Sequence, residues 1–350
     1  MSGKKVSKKW MVLGVVLVIG GVGLVFGWTP IMSRFTKTIN DKTVDVAINN
    51  KLTVEEVGAL LKEKKVIDDV DFFLAVAASK NLTDKNIEPG MHAIPAGTSY
   101  KDVCNALISG AFEVEVVVTF NNCRTIADMC EKVSKCLMID QSELETYILS
   151  NETCDKYGFT AETIPAMFIP NSYKMYYDTD KEKFVQRMAD EFKSFWTADR
   201  MAKLKKVGLN SPSEAVTMAS IVYGEQSKNE QEWPIIAGLY LNRLTTGMRL
   251  QSDPTFKFCW GDELEGVQRL TYEHRERDCP YNTYLHDGLP PGPISMPPAG
   301  VVDAVLNRDN NDYLYMCAQP NYDGLHNFTK DYSVHAKNAT EFQHWLAAQQ

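Results

Sequence analysis

Residues 211–255 read SPSEAVTMASIVYGEQSKNEQEWPIIAGLYLNRLTTGMRLQSDPT, and this stretch carries the strongest structural signal in the chain. Ser211 is a natural N-cap, Pro212 suits the first helical position, and Glu214 completes a capping box. We therefore predict a helix that starts at residue 212 and buries the apolar run at 218–222. The second half of the stretch predicts another helix, which ends before the loop QSDP.

Glu225 follows Ile221 by four residues and Met218 by seven, so it shares the apolar face of the first helix. A carboxylate there lies either in solvent at the helix end or in a semi-buried cleft. In a cleft, desolvation favours the protonated form and raises the pKa, as a general acid requires near neutral pH. Spacing alone leaves both interpretations open.

The N-terminal part of the chain predicts a membrane anchor. Residues 10–28 form 19 uncharged residues bounded by tryptophan, close to the roughly 20 that span a bilayer, and four lysines precede them. A cleaved signal peptide is the alternative, but it has a shorter apolar region and a small-residue cleavage site. We therefore expect a cytoplasmic tail at 1–9, a transmembrane helix at 10–28 and a linker at 29–42. The rest of the chain then lies outside the cytoplasm.

Two modules follow the linker, and the predicted fold class is α+β. Residues 43–112 combine alternating strand patterns with capped helices and carry no enzyme-like polar cluster, so a spacer or carbohydrate-binding module is the favoured interpretation. Residues 113–120, EVEVVVTF, predict the strand that opens the larger region 113–350. Capping boxes and amphipathic spacing predict helices there near 125–136, 141–150 and 181–197.

The composition and the missing motifs exclude several classes of function. The net charge is −8 over 350 residues, and it becomes more negative without the N-terminal lysines, which argues against a nucleic-acid binder. We find no zinc-protease, P-loop, nucleophile-elbow or dinucleotide motif and no metal-ligand spacing of histidines, so we expect no metal or cofactor. The eight cysteines allow local disulfides among Cys123, Cys130 and Cys136, and between Cys259 and Cys279, with free thiols as the alternative.

Four ordered motifs together resemble the YceG/MltG family of endolytic murein transglycosylases. They are MASIVYGEQ (218–226), LYLNRLTTGMRLQSDPT (239–255), YNTYLHDGLPPGPI (281–294) and HNFTKDYSVHAKN (326–338). The resemblance covers the whole chain and implies an N-terminal anchor, a LysM-like module at 43–112 and a catalytic domain at 113–350.

The resemblance assigns the catalytic acid. The family motif usually reads A-S-I-V/I-E-x-E, and its second glutamate aligns with Glu225. Tyr223 replaces the first glutamate. Because the catalytic position is kept, activity is still expected, while its pH dependence stays open. The implied reaction cleaves the MurNAc–GlcNAc β-1,4 bond without water. Glu225 protonates the glycosidic oxygen and then, as a carboxylate, takes the proton of the MurNAc C6 hydroxyl, which leaves a 1,6-anhydro end.

The remaining motif residues are candidates for binding the glycan, each with a structural alternative. Arg243 either orients the acid, holds a sugar or pairs with a carboxylate, and Asp253 is either a cleft residue or a turn residue before Pro254. Asn171 either faces the glycan or packs in the core. The full set of candidate substrate-binding residues is Asn171, Arg243, Gln251, Ser252, Asp253, Tyr281, Asn282, Thr283, His326 and Asn327.

The resemblance also implies a cellular location and protein partners. We expect a single-pass protein of the inner membrane with its catalytic part in the periplasm, where it shortens nascent peptidoglycan strands. Peptidoglycan polymerases and the elongation or division machinery are the implied protein partners. Two alternatives remain: a hydrolytic muramidase, which needs a second essential carboxylate, and a non-catalytic glycan-binding scaffold of the cell envelope.

Overall fold

The structure is a computed structural model that describes residues 31–264, 272–321 and 323–349. The predicted tail at 1–9 and the predicted transmembrane helix at 10–28 lie outside the described residues. No helix within the described ranges is long and apolar enough to cross a membrane. The chain divides into two compact units, and β3 and β4, defined below, contribute residues to both.

The first unit contains the chain up to Val117 together with 136–138 and 174–179. Its elements are β1 (Val44–Ile48), α1 (Val54–Glu63), α2 (Val70–Ser79), β2 (Gly90–Ile94), α3 (Tyr100–Ser109) and the first part of β3 (Glu113–Phe120). β1 and β2 pair antiparallel along their full length. The predicted capping box of Thr53 and Glu56 is present, and Ser99 caps α3. Buried aliphatic residues and Phe73 form the core between the helices and the strands.

The predicted linker at 29–42 is more ordered than its composition indicates. Residues 31–35 are helical, and the backbone N–H of Thr38 donates to the carbonyl of Thr98 at 2.8 Å. The side-chain amide of Asn40 donates to the carbonyl of Ile94 at 3.1 Å. The described part of this segment is therefore bonded to the first unit.

The second unit contains 118–135, 139–173 and the chain from Asp180 onward. Its first elements are the end of β3, α4 (Ile126–Ser134), α5 (Gln141–Leu149), α6 (Asn151–Tyr157), a 3₁₀ turn (Ile164–Met167), the start of β4 (Asn171–Tyr176), α7 (Lys181–Phe195) and α8 (Ala198–Lys206). Thr119 and Ser172 join β3 to β4 by a 2.7 Å hydroxyl hydrogen bond. The sequence analysis did not predict α6 and α8, two short helices capped by Ser150 and Thr197.

The later elements of the second unit include the buried helix that the sequence predicts from residue 212. They are α9 (Pro212–Glu225), a 3₁₀ turn (Glu230–Glu232), α10 (Trp233–Thr245), α11 (Asp253–Trp260), a 3₁₀ turn (Gly261–Leu264), α12 (Tyr272–Arg275), α13 (Ala299–Leu306), β5 (Tyr315–Ala318), β6 (His326–Thr329) and α14 (Tyr332–Ala347). α9 buries every residue from 215 to 222 against α10 and α13. β5 and β6 form an antiparallel hairpin, so the predicted α+β class is confirmed.

The cysteines follow the sequence analysis in part. Cys259 and Cys279 form a disulfide, as their spacing allowed. Cys123, Cys130 and Cys136 are free thiols, so the local pairing that their spacing allowed is absent and the free-thiol alternative is confirmed for them. Cys130 lies on the core face of α4, where burial raises its pKa to about 12, and the thiol of Cys123 instead donates to the carbonyl of Asn121 at 3.4 Å.

Candidate active site

Glu225 is the last residue of α9, and its carboxylate is held on one side only. The hydroxyl of Tyr240, on α10, donates to Oε1 at 2.7 Å, and the hydroxyl of Ser252 donates to the same oxygen at 2.5 Å. Oε2 has no hydrogen-bond partner among the described residues. One carboxylate oxygen is therefore fixed by two donors, and the other is left for a ligand.

The surroundings of Glu225 favour its protonated form. Burial raises the pKa of the carboxyl, and the nearby negative charge of Asp253 acts in the same direction. The hydrogen bonds from Ser252 and Tyr240 and the proximity of His326 act the other way, but they do not offset burial. Of the two interpretations left open by the sequence, the semi-buried one is confirmed, and an acid of raised pKa suits proton donation near neutral pH.

Glu225 faces an open pocket of about 430 Å³ in the second unit. Side chains from α9, α10, α11, the β5–β6 hairpin and α14 meet there. Five of the residues predicted from sequence line this pocket, namely Glu225, Arg243, Gln251, Asp253 and His326. Arg275, Tyr284, Cys317 and His335 line it as well.

Asp253 is the first residue of α11 and is held by two partners. The hydroxyl of Tyr284 donates to its Oδ1 at 2.6 Å, and the guanidinium of Arg275 lies 3.4 Å from the carboxylate. Arg275 also lies over the ring of Tyr284, 5.0 Å from its centroid. Asp253 thus brings a fixed negative charge to the pocket wall, and the turn-residue and cleft-residue interpretations both describe it.

Arg243 donates hydrogen bonds to backbone carbonyl groups and pairs with no carboxylate among the described residues. Its side chain is buried and donates to the carbonyl of Leu314 at 2.7 Å and to that of Leu250 at 2.6 Å. Two charge-assisted donations of this kind are typical of an arginine that fixes loops. Arg243 ties α10 both to the strand β5 and to the loop that carries Ser252.

The predicted Tyr-Asn-Thr motif at 281–283 does not line the pocket of Glu225. Asn282 is fully buried and donates to the carbonyls of Arg275 and Arg277, at 2.9 Å each. Thr283 Oγ1 accepts the backbone N–H of Ser252 at 3.0 Å. These two side chains support Ser252 and Arg275 and are not free to bind a sugar.

The other predicted site residues do not line the pocket of Glu225. Tyr281 packs its ring against Phe258, with centroids 4.7 Å apart. Asn171 is exposed on β4, where its side chain accepts the N–H of Ser172. Asn327 lies on β6, in register with Cys317 on β5.

Tyr223, which stands where the family motif usually has its first glutamate, faces a different cavity of about 580 Å³. Its hydroxyl donates to Oδ1 of Asn122 at 3.1 Å, and its ring makes an edge contact with Trp233. Gly224 and Pro254 line the same cavity. The residue at 223 therefore contributes no charge to the pocket of Glu225.

The sequence analysis missed three groups that complete the site: Tyr240, Tyr284 and Glu232. A signal existed for the first two, because Tyr240 lies inside the second motif and Tyr284 lies inside the third. Glu232 gave none, since its role depends on a contact with His326 across 94 residues of sequence.

Comparison with known proteins gives a consistent result. The family described as YceG-like matches residues 46–341. The chain is 29% identical to the endolytic murein transglycosylase of Bacillus subtilis strain 168, over 92% of this chain and 90% of that protein. It is 24% identical to the endolytic murein transglycosylase of Streptococcus pneumoniae serotype 2, over 93% of this chain and 64% of that longer protein.

A crystal structure of a YceG-like protein from Listeria monocytogenes has the same fold. It aligns with a TM-score of 0.57 and 24% identity, over 85% of this chain and 99% of that one. The family match extends from β1 into α14 and so includes Glu225 and all the elements that surround it. This protein belongs to the YceG-like family.

Proposed function

We propose that this protein is an endolytic lytic transglycosylase of peptidoglycan. It cleaves the MurNAc–GlcNAc β-1,4 bond within nascent glycan strands and leaves 1,6-anhydro-MurNAc ends, which terminates the strands. The observation that carries the proposal is Glu225, a semi-buried acid of raised pKa with one free oxygen in an open pocket. The names of the Bacillus and Streptococcus relatives support the same reaction.

The geometry indicates which atom gives the proton. Because Oε1 of Glu225 accepts hydrogen bonds from Tyr240 and Ser252, Oε2 is the atom that carries the proton toward the glycosidic oxygen. Positive charge then develops at C1 of the MurNAc ring, as in other glycosidic cleavages. The carboxylate of Asp253 in the pocket wall stabilises that charge. In the simplest scheme, the C6 hydroxyl closes on C1 and returns its proton to Glu225.

No metal or cofactor is needed for this chemistry, because a proton donor and an internal nucleophile are sufficient. A second carboxylate that activates water is the feature of a hydrolytic muramidase. Asp253 is the acidic residue nearest in sequence that also lines the pocket, and its bonds to Tyr284 and Arg275 favour a fixed role. The hydrolytic reaction is therefore kept as an outcome of the test.

We also propose where the protein acts. The apolar residues 10–28 anchor it in the cytoplasmic membrane with the catalytic unit on the periplasmic side, and the four lysines before them support this orientation. Residues 43–112 act as a LysM-like module that holds the glycan. Peptidoglycan polymerases and the elongation or division machinery are the protein partners that this position favours.

The experiment compares the full-length protein in detergent with its Glu225→Gln variant on uncrosslinked peptidoglycan strands, with products read by mass spectrometry. Glu230→Gln is the matched control, because Glu230 is exposed and its replacement removes the same charge near the site. We expect internal fragments with 1,6-anhydro ends from the wild type and the control, and none from Glu225→Gln.

Other outcomes would contradict parts of the proposal. Hydrated reducing ends would identify a muramidase. Equal cleavage by Glu225→Gln would exclude Glu225 as the acid. Binding of glycan strands by every variant, with no product from any of them, would favour the non-catalytic scaffold.

A further inference from the structure

A buried carboxylate holds the imidazole of His326 next to the catalytic pocket. Glu232 ends a 3₁₀ turn after α9 and is only 6% exposed. Its Oε1 accepts the backbone N–H of His326 at 2.8 Å, and its Oε2 lies 2.8 Å from Nδ1 of the same residue. The side-chain amide of Gln226 donates to Oε2 at 2.9 Å. Each oxygen of Glu232 is thus bonded, and two of the three bonds go to His326.

This arrangement fixes the chemistry of the ring. Because Nδ1 faces a carboxylate, it carries the hydrogen, and Nε2 becomes the nitrogen with the free lone pair. Nε2 has no hydrogen-bond partner in the described part of the chain, and His326 lines the same pocket as Glu225. A carboxylate bonded to Nδ1 orients the imidazole and fixes its tautomer, as in catalytic carboxylate–histidine pairs.

We propose that His326 is the general base of the reaction and that Glu232 is its positioning residue. The inference rests on the proposed transglycosylase function and divides the two proton transfers between two groups. It replaces the simplest scheme, in which the one free oxygen of Glu225 must first face the glycosidic oxygen and then the C6 hydroxyl.

The step balances as follows. Nε2 of His326 takes the proton of the MurNAc C6 hydroxyl while O6 forms a bond with C1. The C1–O4 bond breaks, its electron pair stays on O4 of GlcNAc, and O4 takes the proton of Glu225. The products are a 1,6-anhydro end, a free O4 hydroxyl, a glutamate carboxylate and an imidazolium, and proton transfer through solvent from His326 to Glu225 restores the enzyme.

Several other charged or titratable groups face the pocket with His326. They are Glu225 from α9, Tyr240 and Arg243 from α10, Asp253 from α11, Arg275 and Tyr284 from the segment after it, Cys317 from the paired strand β5, and His335 from α14. Of the ionisable side chains, only that of Glu232 is hydrogen-bonded to the His326 ring in the described residues. Glu232 is therefore the residue whose replacement tests how the His326 ring is held.

The test measures kcat and KM separately for the full-length protein on uncrosslinked strands. Glu232→Gln removes the carboxylate that accepts the Nδ1 hydrogen of His326, so we expect kcat to fall by about 10- to 100-fold while KM stays unchanged. Glu230→Gln, in the same 3₁₀ turn but exposed, leaves both constants in place.

A second arm does not depend on Glu232. His326→Ala is expected to lower kcat/KM by about 10²–10⁴-fold, the range of a lost general base, and added imidazole restores part of the rate. A residue that only supports the fold would not be rescued by imidazole. Thermal unfolding of each variant identifies misfolding, and if Glu232→Gln does not fold, the imidazole arm decides.

The inference is overturned if folded His326→Ala cleaves at the wild-type rate, or if imidazole restores nothing. An unchanged kcat in folded Glu232→Gln overturns the role of Glu232. These results are distinct from failure of the proposed function, in which the wild type itself gives no anhydro product.

Discussion

The hydroxyl of Ser252 lies 2.5 Å from Oε1 of Glu225, although the two residues belong to different motifs. Ser252 is fully buried, and its backbone N–H is held by Thr283 at 3.0 Å. The loop that carries Ser252 is fixed in turn by Arg243, which donates to the carbonyl of Leu250. Three of the four family motifs therefore converge on one oxygen atom of the acid.

Removing either hydrogen-bond donor to Glu225 should change the pH range in which the enzyme is active. Hydrogen bonds from Ser252 and Tyr240 lower the pKa of Glu225, so Ser252→Ala and Tyr240→Phe should each raise it further. Glu225 must be protonated to act, and the basic limb of the kcat/KM profile should therefore move to higher pH. The maximal rate should fall by about 10- to 100-fold, since a hydrogen bond to a charged group contributes about 1.5–3 kcal/mol.

Tyr223→Phe is the control for this pair, because the Tyr223 hydroxyl bonds Asn122 and lines the other cavity. A basic limb that moves to lower pH in Ser252→Ala would contradict the role given to the hydrogen bond.

The buried acid should also make stability depend on pH. Because burial raises the pKa of Glu225, the folded state binds its proton more tightly than the unfolded state. This contribution to stability is complete below the ordinary carboxyl pKa and is lost as pH rises through the raised value. Glu225→Gln cannot lose a proton, so its unfolding temperature relative to the wild type should rise between pH 4 and pH 8. A difference that stays constant across this range would show that ionisation of Glu225 does not affect folding.

The contact between Gly224 and Pro254 predicts a specific overpacking effect. A Cβ at position 224 would lie 2.7 Å from Cβ of Pro254, so Gly224→Ala should push away the chain that carries Ser252. We expect a loss of about 1–3 kcal/mol in the free energy of unfolding, measured by urea denaturation, and a lower rate of cleavage.

Gly300→Ala is the comparison for that change. Position 300 lies in α13, and a Cβ there would meet Trp233 at an ordinary 3.5 Å. Because alanine favours the helix by about 1 kcal/mol over glycine, this variant should be as stable as the wild type or more so. Equal effects of the two substitutions would mean that the close contact with Pro254 is not what requires glycine at position 224.

The disulfide between Cys259 and Cys279 should contribute measurably to stability. It closes a loop with a sequence separation of 20, for which loop-closure entropy gives about 3 kcal/mol. The double variant Cys259→Ser/Cys279→Ser should therefore unfold at a lower temperature, and reductant should lower the unfolding temperature of the wild type but not that of the double variant. Cys104→Ser, at a buried free thiol of the first unit, controls for the loss of a cysteine. An unfolding temperature unaffected by reductant would contradict this.

The sequence predicted the helices that form the site better than it predicted the roles of the side chains in the site. Helix α9 was predictable because Ser211, Pro212 and a continuous apolar face all indicate the same start and the same buried side. Capping residues likewise located α1, α3 and α4. The short helices α6 and α8 were missed, since each has only one or two buried residues and thus little hydrophobic periodicity.

Side-chain roles were harder to predict, because they depend on contacts between distant segments. Asn282 and Thr283 are polar residues in a loop, which suits sugar binding, but their partners are the backbone and hydroxyl groups of neighbouring loops. Arg243 is fully engaged with carbonyl groups, which no spacing rule indicates. The pairing of Glu232 with His326 has the same origin, since it joins a turn after α9 to a strand near the end of the chain.

The bonded pair Cys259–Cys279 has a consequence for the wall of the catalytic pocket. The disulfide closes the chain on itself just after α11, and the buried amide of Asn282 then fixes the carbonyls of Arg275 and Arg277. Arg275 and the nearby Tyr284 in turn hold the carboxylate of Asp253 at the start of α11. The charged wall that faces Glu225 therefore depends on a covalent bond whose two cysteines do not line the pocket.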